Sequence, residues 1–170
     1  LIGAIATVML AVPSAIAIRD LLEARQHATR EYGGIAPARA ALRLVQLTQQ
    51  HRGLSASVLA GNAAMVAPRQ AKKIEVDKAF ADAREATASL GDEPLGQLVS
   101  RIGTEWGELS AAVDGKSLPG PASFARHTAL IGEQLALLED ITNTAGLVLH
   151  PDADGYFLQA GVLGALPWVT

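Results

Sequence analysis

Residues 95–113, LGQLVSRIGTEWGELSAAV, decide the fold. Leu95, Leu98, Ile102, Trp106, Leu109 and Val113 recur at intervals of three or four, which places them along one side of an α-helix. A helix with such a stripe buries one face in a shared core. Gly91 stops whatever precedes it, and Asp92 stands where the N-cap of this helix belongs.

The same period extends in both directions. Upstream, Val76, Ala79, Phe80, Ala83 and Leu90 mark a helix from about Pro68 to Leu90. Before it, Leu44, Leu47, His51, Leu54 and Val58 mark another from about Pro37 to Ala60, closed by Gly61-Asn62, a pair suited to a left-handed cap. The first helix is expected to stop near Glu31, where Tyr32-Gly33-Gly34 interrupts it, and Pro37 then opens the next. Downstream, Asp114-Gly115-Lys116 with Pro119 and Pro121 forms the longest connection. A helix from about Ser123 to Leu149 follows, with His127, Ile131, Gln134, Leu138, Ile141 and Ala145 inward. A last segment begins at Pro151-Asp152 and runs through Tyr156-Phe157-Leu158 to Pro167. No alternating, strand-like stretch of useful length interrupts this series. The expected fold class is all-α, an up-and-down four-helix bundle preceded by a transmembrane helix.

Residues 1–18, LIGAIATVMLAVPSAIAI, carry no charge. As a helix they span roughly 27 Å, close to the hydrocarbon core of a bilayer. They read as a transmembrane helix truncated at its start, with residues 19–167 as the extracytoplasmic bundle and 168–170 as the start of a second crossing, since Trp168 suits an interface. A cleaved signal peptide is the rival reading, because Ser14-Ala15-Ile16-Ala17 offers small residues at the right interval. Either way the bundle lies outside the cytoplasmic membrane.

Composition narrows the function classes. The chain of 170 residues balances 14 basic against 17 acidic side chains, a net charge of −3 that gives no footprint for nucleic acid. It contains no cysteine, so disulfides, thiolate chemistry and cysteine-held zinc are excluded. No glycine loop cradles a phosphate, and no serine–histidine pair has a third orienting group. Catalysis within these residues is not expected, and no cofactor is called for.

Several short motifs carry a resemblance. Glu31-Tyr-Gly-Gly-Ile, the run LVQLTQQHRG over 44–53, Leu54-Ser55 and Leu59-Ala-Gly-Asn62 resemble the extracytoplasmic sensor region of bacterial transmembrane signalling receptors. His51-Arg-Gly-Leu-Ser55 is similar to the Glu-Arg-Gly-Leu-Ser stretch of nitrate- and nitrite-sensing helical domains. Trp106, His127-Thr128 and the run PDADGYFL over 151–158 match further elements, with His150 and Gly155 departing from the family's usual Asp and Ser. The resemblance implies a ligand-sensing bundle of a methyl-accepting chemotaxis protein, a sensor histidine kinase or a cyclic-dinucleotide signalling enzyme. It also implies a homodimer that signals through flanking membrane helices.

Read without the family, His51 shares the inward face of its helix while Arg52 points roughly 100° away, toward Val45, Gln49 and Leu59. One of the two is therefore buried. His51 and His127 are either hydrogen-bonded core residues or parts of a ligand site. Arg52, with its fixed fork of donors, is the expected captor of a small anion, in company with His51, Gln49, His127 and Gln134. A metal site is not expected, because neither histidine has an inward acidic residue at i+3 or i+4. Asp152 and Asp154 suit a first helical turn, and too few oxygen ligands surround them for calcium. The competing class is a bundle that takes no ligand and serves as a dimerising spacer or docks a periplasmic partner protein.

Overall fold

A computed structural model describes the backbone of residues 2–147 and the side chains of residues 14–26, 28, 29 and 31–147. It consists of four long helices: α1 (Ile2–Leu59), α2 (Val66–Ala88), α3 (Glu93–Asp114) and α4 (Gly120–Thr144), with one 3-10 turn (Ala63–Met65) between the first two. α1 packs on α2 and α4, and α3 packs on the same two, giving the expected up-and-down bundle. The expected segments 151–167 and 168–170 lie outside the described residues, as do the side chains of 1–13. Among the described residues no helix is long and apolar enough to cross a membrane.

The helix ends follow local chemistry. α1 closes with Asn62 N–H donating to the Ser57 carbonyl (3.0 Å) and Gly61 in the left-handed region at φ +96°, as the glycine-asparagine pair required. Asp92 accepts from the Leu95 N–H (3.1 Å) and caps α3. α4 ends earlier than the expected Leu149, because Gly146 takes φ +73° and Leu147 N–H returns to the Thr142 carbonyl.

The expected break at 32–37 does not occur: α1 runs through it without interruption. Pro37 cannot donate to Gly33, but Gly33 is exposed, so the freed carbonyl is not forced into a dry interior. Gly34 is buried, and a Cβ built there would collide with that of Ala145. The glycine lets α1 and the end of α4 approach closely and is not a helix stop.

The core is largely apolar toward the turn between α2 and α3, and polar side chains enter it toward the opposite end, where α1 closes and α2 begins. The α3 stripe is buried at Leu95, Ile102, Trp106, Leu109 and Val113, with Val99 inward where Leu98 was expected. Each fully buried aliphatic side chain of this set contributes about 1.5–3 kcal/mol. On α1 the buried line is Leu44, Val45, Leu47, Thr48, His51 and Ser55, while Leu54 and Val58 are only half-buried. That rotation brings three polar residues inside.

Candidate functional site

Thr48, His51 and Ser55 follow one another at intervals of three and four on α1 and are fully buried. α4 faces them with Ser123, His127 and Gln134, also buried. Two polar layers result. In one, the Gln134 amide donates to the Thr48 hydroxyl (3.1 Å). In the other, His51 Nδ1 meets His127 Nε2 at 3.0 Å.

The hydrogen bonds of the histidine layer fix where its protons sit. The Ser123 carbonyl only accepts, so His127 Nδ1, 2.7 Å away, carries a hydrogen. In the neutral ring Nε2 is then bare and accepts from His51 Nδ1–H. That leaves His51 Nε2 bare, and it faces Arg69 Nη1 at 3.5 Å, a group that only donates. The order is one-directional: Arg69 to His51 to His127 to the Ser123 carbonyl.

Every helix contributes to this layer. α2 supplies Arg69, whose side chain is only 3% exposed. α3 supplies Asp114, which pairs with Arg69 Nη2 and also accepts from Gln70 (3.1 Å). It also supplies Trp106, whose ring meets His51 edge-on at 4.8 Å and 79°. The indole N–H is satisfied by Asp77 (2.6 Å). Arg69 Nε is buried and has no hydrogen-bond partner, and the same is true of the Gln134 Oε1 oxygen.

Burial is the main reason both histidines stay neutral. His51 is pushed down from 6.5 to about 3, first by desolvation, then by His127 and the Arg69 charge, with Asp114 opposing. His127 is also lowered by desolvation, against the help of its bond to Ser123, with Arg52, Arg126 and Arg69 adding to the fall. Four cations, Arg52, Arg69, Lys73 and Arg126, therefore bear on the pair, against the single anion Asp114. The layer is poor in general bases and rich in positive potential.

The five residues singled out from the sequence divide between these places. His51 and His127 meet. Gln134 is buried one layer away and bonds Thr48 rather than either histidine. Arg52 is half-buried on the outer α1–α4 seam, where it donates to the Thr128 hydroxyl (3.0 Å) and lies 4.6 Å over the Phe124 ring. Gln49 is half-buried. Sequence reasoning missed Arg69, although it stands seven residues before Val76 on the inward line of α2, where an arginine is out of place without a purpose. Among the described residues no group of three or more histidine, aspartate or glutamate side chains is gathered to hold a metal ion.

A family model described as nitrate and nitrite sensing matches residues 43–150, which include all four helices' contributions to this layer. No curated protein and no solved structure gives a significant match.

Proposed function

Since this chain belongs to the nitrate and nitrite sensing family, the extracytoplasmic sensor domains of bacterial signalling receptors, we propose that it binds a small planar oxyanion, nitrate or nitrite, in the layer of His51, Arg69, Trp106 and His127. The observation that carries this reading is Arg69: a guanidinium buried between the helices in the first turn of α2, with its Nε donor unused. A planar anion accepts from such a fork in the manner of a carboxylate. The excess of cations around the histidine pair favours it further. The anion replaces Asp114 on Arg69, and so releases the C-terminal end of α3 from α2. A ligand that trades places with an internal carboxylate shifts the bundle between two arrangements by its difference in affinity for them.

The bundle itself is non-catalytic, and its displacement passes along α1 toward the membrane and an output domain of the chemotaxis or histidine kinase type. α1 also supports a homodimer. Ile18, Leu21, Arg25, Ala28, Tyr32 and Ile35 advance by three, four, three, four and three, the spacing of a two-stranded seam. Of these Leu21 and Tyr32 are 75% and 77% exposed, and a second copy of α1 is the occupant that this period fits. The spacer reading draws on the same seam and needs no anion.

Thermal unfolding with nitrate, nitrite and chloride tests the site. Nitrate at a hundred times its dissociation constant should stabilise the protein by about 2.7 kcal/mol, or roughly 5–10 °C. The shift should vanish in Arg69→Lys and persist in Arg52→Ala. The absence of any shift in the unaltered protein leaves the spacer reading standing.

A further inference from the structure

We propose that the anion enters this layer together with one proton, which His51 takes up at Nε2, so that the sensor responds to oxyanion and acidity jointly. This rests on the oxyanion reading above and adds its linkage to pH. His127 Nδ1 is committed to the Ser123 carbonyl, and His127 Nε2 to His51. His51 Nε2 is the ring nitrogen of the pair that carries no hydrogen and is not used between the two rings, and it is the atom turned toward Arg69.

In the free protein that nitrogen has no use for a proton. A hydrogen there would point at the Arg69 guanidinium, donor against donor. Charges on the neighbouring helices bear on it as well: Arg69 and Lys73 on α2 oppose it and Asp114 of α3 favours it, while Arg52 on α1 and Arg126 on α4 keep the partner ring of His127 neutral. An anion seated against Arg69 changes this. Its oxygens accept from Arg69 and from a protonated His51 Nε2 together, so the ring gains an acceptor where it faced a donor, and the anion's charge, bonded to the ring itself, takes over the favourable role of the Asp114 carboxylate it displaces. The proton comes from solvent and stays on the ring while the anion is bound, so no bond in the ligand changes.

Calorimetric titration of nitrate into the whole chain, between about pH 5.5 and 7.5 and in two buffers of different ionisation enthalpy, measures the linkage directly. Nitrate stays an anion throughout this range, so any slope belongs to the protein. The expected result is about tenfold tighter binding per unit fall in pH and uptake of about one proton per anion. His51→Gln, which cannot take the proton, should bind with no pH slope. Should that variant fail to fold or to bind, since His51 lines the site, the ¹⁵N resonances of the histidine rings in the unaltered protein give the same answer, with the His51 ring passing from a single-hydrogen tautomer to imidazolium as nitrate is added. Binding with a flat pH profile and no proton uptake overturns this inference and leaves the oxyanion site intact. No binding of nitrate at any pH overturns the site, and this inference with it.

Discussion

Between Gly34 and Leu59, α1 is walled in by α2 and α4, and its inward line is buried from Ala38 to Ser55. Between Ser14 and Thr29 every described side chain of the same helix is exposed, including Ile16, Ile18, Leu21 and Leu22. An open groove of about 780 Å³ marks the boundary, lined by Leu22, Gln26 and Thr29 of α1 and by Ser89, Leu90 and Thr144 of the bundle. The upper part of the helix thus buries polar residues, and the lower part exposes apolar ones. Burial of histidine, threonine and serine is costly unless each is bonded, so the upper half is built for a specific polar arrangement at some expense to stability. Exposure of isoleucine and leucine gives the lower half nothing within this chain's described bundle. In the proposed dimer these apolar residues face a second copy of α1.

The largest effect should come from truncating one leucine in each half. Leu44→Ala removes a fully buried side chain and should cost about 2–5 kcal/mol in chemical denaturation. Leu21→Ala should leave that stability within about 0.5 kcal/mol, while weakening any dimer seen by sedimentation. Equal losses from the two would erase the distinction between the halves.

Acid should act on the upper half next. Both buried histidines are neutral in the folded protein and take protons near pH 6.5 once unfolded. The unfolded chain therefore binds more protons below that pH, and stability, complete above it, should fall as the pH drops from about 6.5 toward 3. At pH 5 the loss from His51 alone is about 2 kcal/mol, with His127 adding in the same direction. Denaturant midpoints across this range should lose most of their acid sensitivity in a His51→Gln, His127→Gln double variant. An undiminished slope would place the titrating groups elsewhere.

The junction between the halves offers the smallest and sharpest contrast. Gly34→Ala forces a methyl against Ala145 and should cost about 1–3 kcal/mol. Gly33→Ala, one residue away with no atom near its would-be Cβ, should gain about 0.5–1 kcal/mol by removing a flexible residue from an exposed helix. Melting temperatures that move in the same direction for both would mean that α1 does not pass the end of α4 as described.

Tyr32-Gly33-Gly34 shows where reading the sequence stops. A glycine pair followed by Pro37 looks like a helix break, because the same residues serve both as breakers and as sites of close approach. Which role applies depends on Ala145, more than a hundred residues away. Arg52 and Arg69 make the same point for the site. The motif around Arg52 drew attention to an arginine that lies on the outer seam, while Arg69, in no motif, reaches the buried histidine pair.

What the sequence determines by itself is local and repetitive: the helices α2, α3 and α4 and the part of α1 after Pro37, the Asp92 and Gly61-Asn62 caps, the inward line of α3, and the inward lines of α2 and α4 in large part. These follow from a period of 3.6 and from the backbone groups left over at each helix end, both of which are settled within a few residues. Tertiary structure alone decides that His51 meets His127 across 76 residues, that Arg69 is turned onto that pair, and that Gly34 is a contact. The energies of those encounters come from desolvation and from fixed donor and acceptor geometry, and neither exists until the helices have packed.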